Sequence, residues 1–166
     1  MSIYRSNRVP GHTYLFTVRL LDPDSALLTE HIFAFGEAIR LARSKRPFHV
    51  DAWVVLHNHA HAIWTLPPGD RDCASRWRAV KIAFSKAVRK ACPLRSHNAA
   101  IWEHRYRERR IGNDDEYRDL VNYVHANPVA HGMCDSIADW PWSSVHRFAA
   151  EGLIIPIKTT TPFNFH

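Results

Sequence analysis

The chain reads as an α+β domain built on a central antiparallel sheet. Three observations point there. Runs of β-forming residues recur four times along the 166 residues. Three longer stretches carry apolar residues every three to four positions, the spacing of an amphipathic helix. Their order is β-α-β-β-α-β-α, and the first six elements match the ferredoxin-like split βαβ pattern, with two helices on one face of the sheet. The third helix is then free to pack elsewhere, including on the sheet's other face.

Each element has its own justification. Tyr14 to Leu20 is rich in β-formers, and Asp22-Pro23-Asp24-Ser25 breaks it. Thr29 is the candidate cap of the first helix, with Ile32, Phe35, Ile39 and Ala42 as its apolar stripe. Arg40, Arg43, Lys45 and Arg46 crowd its C-terminal end, where cations suit the helix dipole, and Pro47 stops it. Phe48 to Leu56 is a second strand and His59 to Leu66 a third, antiparallel to it across a tight turn at His57-Asn58. The second helix runs from about Ser75 to Ala91, with Trp77, Val80, Phe84 and Val88 buried and the basic residues mostly elsewhere. Ile101 to Arg110 is the fourth strand. The third helix starts near Asn113 or Asp114, with Asp115 and Glu116 favourable in its first turn. Pro128 disfavours helical geometry at Asn127, so Tyr123 and Asn127 fall near the end of this helix. Trp140-Pro141-Trp142 and Phe148 are expected to cover the core. Residues 1–150 read as one domain and 151–166 as a loosely held tail.

Composition narrows the function classes. Hydrophobic residues make up 46% of the chain, which argues for a packed globule and against disorder. The formal charge is +6 and the pI about 9.5, so polyanions are the natural partners. Cys73, Cys92 and Cys134 are far apart and form no CxxC, as in reduced cytosolic proteins. No apolar run approaches the length of a membrane span, and the N-terminus carries no apolar signal region.

Two short stretches carry the chemistry. His59 and His61 lie two apart on a strand and present two imidazoles to one face, a spacing that suits two ligands on one metal. With twelve histidines in the chain, one HxH by chance is unremarkable. His57 precedes the pair by two and joins their face only if the strand runs unbroken through it; the turn favours otherwise. Tyr123 and Asn127 lie four apart on a helix, hence on one face. A rim aromatic and a helix-end Asn would produce the same pair.

Together the two stretches resemble a known family. Phe16-Thr17-Val18, Arg46-Pro47-Phe48, Ala52-Trp53-Val54-Val55-Leu56, His59-Ala60-His61 and Trp64-Thr65-Leu66-Pro67 match in the first half. Ser75-Arg76-Trp77, Trp102-Glu103-His104, Tyr123-x-x-x-Asn127-Pro128-Val129, His131-Gly132 and Asp139-Trp140-Pro141 follow. From Tyr4 to about Arg147 the sequence is similar to the REP-associated tyrosine transposases, a bacterial branch of the single-tyrosine HUH transposases. It departs at Ala60, small for the hydrophobic U position, and at His57, where relatives usually have Pro.

The resemblance implies metal-assisted cleavage of single-stranded DNA at a REP-type hairpin with a short 5′ flank. Tyr123 is then the nucleophile, giving a 5′-phosphotyrosine and a free 3′-OH, and His59, His61 and Asn127 hold Mg²⁺ or Mn²⁺. Mg²⁺ prefers oxygen ligands, so two imidazoles also suit Mn²⁺. His57 and His125 are offered as proton carriers. By the same resemblance Arg5 and Arg8 clasp the single-stranded flank, while Arg76, Lys81, Arg105, Arg107, Arg109 and Arg110 are candidate phosphate contacts. A monomer in the bacterial cytoplasm, associated with the nucleoid, is expected. Two rival readings stay open: a non-catalytic nucleic-acid binder on a ferredoxin-like sheet, and a metal hydrolase using His57, His59 and His61.

Overall fold

The computed structural model describes residues 10–93 and 99–153. Four strands, β1 (His12–Arg19), β2 (His49–Val55), β3 (His59–Leu66) and β4 (Arg107–Arg110), form one sheet. Their order is β2-β3-β1-β4 and every neighbouring pair is antiparallel. Five helices accompany them: α1 (Leu27–Glu30), α2 (Ile32–Lys45), α3 (Cys73–Ala91), α4 (Asp114–Ala130) and α5 (Val145–Ala150). β3 lies between β1 and β2, as a split βαβ unit requires.

Strand alternation divides the side chains between two cores. Phe16 and Val18 of β1 and Ala62, Trp64 and Leu66 of β3 face α2 and α3. There Trp64 stacks on Trp77 of α3, with ring centroids 4.2 Å apart and planes 12° apart, and on Phe48 at 4.1 Å. On the opposite face, Leu15, Ala52, Val54 and Ile63 lie beneath Tyr117, Leu120, Val121 and Val124 of α4. α4 thus covers the face that two-helix packing would leave bare.

Local devices fix the elements that matter for the site. The β2–β3 turn closes with the Leu56 N–H donating to the His59 carbonyl at 2.8 Å. α4 is capped by Asn113, whose Oδ1 accepts from the Glu116 N–H at 2.8 Å. A bulge between Val50 and Ala52 accompanies an inward Asp51. Its carboxylate accepts from the Tyr117 hydroxyl at 2.9 Å and from Thr65 Oγ1 at 2.8 Å, tying α4 to the sheet. Residues 142–144 run along the outer edge of β2, with Val55 N–H donating to the Trp142 carbonyl and Ser144 N–H to the Trp53 carbonyl, each at 2.9 Å. Trp140 and Phe148 are buried as a cover, as their sequence context predicts.

Four local expectations are corrected. The helix expected from Thr29 is two helices that break at His31. Thr29 does not cap; its hydroxyl bonds the Ala26 carbonyl at 3.2 Å and His57 Nδ1 at 2.6 Å. α3 begins at Cys73 because Asp72 caps it, accepting from the Ser75 N–H at 3.0 Å. The fourth strand spans only Arg107–Arg110. Upstream, Trp102 turns its ring toward Phe84 at 5.4 Å and makes one bridge with Leu20, so helix contacts replace strand pairing. Finally, α4 runs through Pro128 to Ala130. Pro128 brings no N–H for the carbonyl four residues back, yet the final turn still closes, the His131 N–H donating to the Asn127 carbonyl at 3.0 Å. The tail expected over 151–166 lies outside the described residues from 154 onward.

Candidate active site

His59 and His61 face α4 from β3, while Ala60 between them belongs to the opposite core. Both imidazoles are almost fully buried. Their ring centroids lie 5.1 Å apart. From α4 come Tyr123, whose ring sits 5.4 Å from that of His61, and Asn127, whose Oδ1 lies 3.4 Å from His59 Nε2. The two stretches that sequence reasoning paired therefore meet in space.

The hydrogen bonds around His59 settle its proton. Asn58 Nδ2 donates to the Pro23 carbonyl at 2.7 Å, and a carbonyl can only accept, so the amide orientation is fixed. Asn58 Oδ1 then faces His59 Nδ1 at 2.7 Å, and Nδ1 must carry the hydrogen. Burial pushes the His59 pKa down to about 4, helped by the positive charge of Arg19 and by His131. At neutral pH its Nε2 therefore holds a bare lone pair, pointed at the amide oxygen of Asn127. At 3.4 Å the two atoms make at most a weak hydrogen bond, which leaves both available as ligands. His61 is likewise held well below its usual range by burial first, then by His59 and Arg19. Thr17 Oγ1 steadies its Nδ1 at 2.8 Å. Two neutral imidazoles and an amide oxygen form a donor set that fits a divalent ion of the Mn²⁺ or Mg²⁺ kind.

Tyr123 sits in tension. Burial raises its pKa, while Arg19, a hydrogen bond with Asn127 and Arg107 each act to lower it. Arg19 and His131 are the residues that sequence reasoning missed as part of the site. Arg19 is the register partner of His59 on β1, as Thr17 is of His61. Residues directly opposite in an antiparallel pair share a face, so the strand pairing carried the signal once the register was known. His131 closes α4, with its ring 5.1 Å from that of His59.

Other candidates lie elsewhere. His57 points away, bonded to Thr29 and set against the Trp140 ring at 5.7 Å. His125 is on the far side of α4, with Nε2 on Ser144 Oγ at 2.7 Å and its ring against Phe148 at 4.8 Å, so it is no proton carrier here. Among the described residues no three His, Cys, Asp or Glu side chains gather as a metal cluster, and the three-histidine hydrolase has no site.

Arg76 is corrected outright as a phosphate contact. It is 2% exposed, paired with Asp70 at 2.8 Å, and its other donors serve the Arg46, Pro47 and Asp72 carbonyls. Its guanidinium knits the α2–β2 connection to α3. Lys81 is half-buried, donating to the Glu103 carbonyl at 3.1 Å beside the Trp102 and Tyr106 rings. Arg105, Arg107, Arg109 and Arg110 are exposed; Arg109 pairs with Glu116 at 2.7 Å and Arg110 bonds His12 at 2.9 Å. Arg5 and Arg8 lie outside the described residues.

No family model matches the chain. Whole-length comparison is more informative. A REP-associated tyrosine transposase from Escherichia coli K12 is 44% identical over 153 residues, covering 92% of this chain and 88% of that protein. A Haemophilus influenzae protein given the same kind of name is 33% identical over 153 residues, covering 89% and 87%. In three dimensions, the structure of a REP-associated tyrosine transposase bound to a REP hairpin superposes with a TM-score of 0.81 at 41% identity, covering 99% of this chain and 95% of that one. A crystal structure from Deinococcus radiodurans, at TM-score 0.52 and 15% identity over 73% of this chain and 93% of that one, shares the fold. Identity at this level across nearly the whole length decides the matter: the chain belongs to the REP-associated tyrosine transposases.

Proposed function

We propose that this protein is an HUH-type, metal-dependent endonuclease and strand transferase acting on single-stranded DNA beside a REP-type hairpin. The observation that carries the reading is the convergence of Tyr123 with His61, and of a lone-pair-bearing His59 with the amide oxygen of Asn127.

A phosphodiester resists attack because its negative oxygens repel nucleophiles. A divalent ion, Mg²⁺ or Mn²⁺, when bound, supplies charge neutralisation and polarisation at phosphorus. His59, His61 and Asn127 are the residues that would hold it. Tyr123 attacks phosphorus through its phenolic oxygen. The Tyr123 O–P bond forms, the bond from phosphorus to the 3′ oxygen breaks, and the proton lost by the phenol is balanced by one gained at that oxygen. The products are a 5′-phosphotyrosine and a 3′-OH. An ester has been exchanged for an ester, so a 3′-OH can reverse the step and join a strand without ATP. Helix α4 holds Tyr123 and Asn127 one turn apart, so the nucleophile and one ion ligand keep a fixed relation.

The basic edge formed by Arg105, Arg107, Arg109 and Arg110 is the surface proposed to meet the phosphate backbone, with Arg5 and Arg8 on the flank. His59, His61, Tyr123 and Asn127 meet within a single copy of the chain, so the proposed site needs no residue from a second copy and a monomer could act. Among the described residues no helix is long and apolar enough to cross a membrane, and DNA as substrate places the work at the bacterial nucleoid.

The test is Tyr123→Phe with a labelled hairpin oligonucleotide and Mn²⁺. Cleavage and the covalent protein–DNA adduct should vanish while hairpin binding persists. Continued cleavage by the variant would point to a hydrolase; a wild type that binds but never cuts would point to a non-catalytic binder.

A further inference from the structure

The arginines of this molecule divide by what they face. Arg40 pairs with Glu37, Arg46 with Asp72, Arg76 with Asp70, Arg109 with Glu116 and Arg118 with Asp115. Arg19 differs. It is half-buried at the end of β1, and among the described residues it forms no ion pair with a carboxylate. Its backbone is fixed on both sides. The neighbouring Leu20 N–H donates to the Asn58 carbonyl at 2.8 Å, and the Glu103 N–H donates to the Arg19 carbonyl at 3.0 Å. Its register partner is His59, so its side chain stands on the sheet face that carries both imidazoles. Its charge reaches His59, His61 and Tyr123 alike.

A half-desolvated cation without a partner is unfavourable, more so beside a site that would also hold a divalent ion. Such a group is available to an incoming anion. The anion that fits a guanidinium fork is a phosphate, gripped through two oxygens. We propose that Arg19 is a catalytic residue of the reaction described above: it binds the non-bridging oxygens of the scissile phosphodiester beside the Tyr123 ring. The proposal rests on the transesterification reading. In it, Arg19 takes charge that builds on the phosphoryl oxygens as the Tyr123 O–P bond forms. It gives up no proton and forms no bond that must later be broken. Its place opposite His59 in the strand register aims it at the buried site rather than at open solvent. It also separates Arg19 from the exposed arginines of β4, which are suited to tracking a backbone but not to singling out one phosphate.

The test uses the whole chain, Mn²⁺ and a labelled hairpin oligonucleotide that the wild type cleaves. Arg19→Ala should slow single-turnover cleavage by on the order of 10²-fold, with hairpin affinity lowered by no more than about tenfold. Arg19→Lys, which keeps the charge, should recover part of the rate; Arg19→Gln, which keeps only the stem, should not. A second measurement avoids turnover altogether. In a Tyr123→Phe background with chelator present, an uncharged methylphosphonate at the cleaved linkage should weaken binding by about tenfold when Arg19 is present, and not at all in Arg19→Ala. Wild-type cleavage rates in Arg19→Ala, or an equal methylphosphonate penalty in both backgrounds, would overturn the proposal. If Arg19→Ala does not fold, Arg19→Gln carries both measurements. A wild type that forms no Tyr123 adduct sinks the underlying reading, whereas an adduct that forms equally fast without Arg19 sinks only this one.

Discussion

Trp64 and His61 are three residues apart on β3 and lie on opposite faces of one sheet. Trp64 is 1% exposed and His61 2%. Trp64 is enclosed by the Trp77, Phe48 and Phe16 rings. His61 is enclosed by Thr17, His59 and Tyr123. On the first face burial removes apolar surface from water and stabilises the fold. On the second the same degree of burial strips protons from imidazoles and leaves lone pairs ready for an ion, at a cost in stability. One strand thus serves both purposes through alternation alone. The face that holds the site borrows its rigidity from the face that does not.

That contrast can be broken from either side. The largest effect is expected on the site face. His59→Ala or His61→Ala should lower cleavage by on the order of 10³-fold or more, with hairpin affinity kept within severalfold and thermal stability little changed. Cleavage gels run beside binding titrations and melting curves would show it; equal collapse of binding and cutting would mean that the pair is structural.

On the apolar face, Trp77→Ala should cost about 3–5 kcal/mol of stability, read from urea denaturation, while the folded fraction still cleaves. A similar separation applies to the arginines. Arg76→Met removes the guanidinium donors to Asp70 and to three carbonyls and should cost about 3 kcal/mol. Exposed Arg105→Ala should leave denaturation midpoints unchanged and reduce the salt slope of hairpin binding by about 1.

The smallest effect sharpens the contrast by pH. In chelator, stability should fall as pH drops from about 6.5 toward 4, since His59 and His125 are held near 4 and His61 below the usual range. The sign follows from the unfolded chain, which binds protons in that window while the folded one does not. His59 and His125 should each contribute about 1–2 kcal/mol over the range, His61 adds in the same direction, and His125→Gln should remove one share. Denaturant melts across the window would check it; a flat profile would mean that these rings are not desolvated as described.

Much of this arrangement was legible in sequence because it rests on periodicity. Two-residue spacing put His59 and His61 on one face, and four-residue spacing did the same for Tyr123 and Asn127. Their meeting followed only from the family resemblance, since no local rule brings β3 to α4. The strands and helices of the split βαβ core were legible for the same reason. Arg19 was not: a charge at the end of an apolar strand reads as the point where the strand meets solvent, and only the register with His59 shows otherwise. Arg76 failed in the opposite sense. It stands beside Trp77 and one turn before Val80, within the apolar stripe, yet its charge suggested the surface. The buried stem with its head paired to Asp70 is a tertiary event. The early part of the expected fourth strand went wrong because Trp102 prefers the rings of α2 and α3 to the pleat.

The sheet's two borders end differently. β2 is sealed by residues 142–144, whereas β4 has no further strand beyond it among the described residues. An open border is a template on which a second molecule could crystallise its own backbone, the first step toward aggregation. Here that border is Arg107-Glu108-Arg109-Arg110, every residue of it exposed. Two copies approaching in this way would bring like charges together, so the guanidinium groups suited to nucleic acid also keep the molecule from polymerising at high concentration.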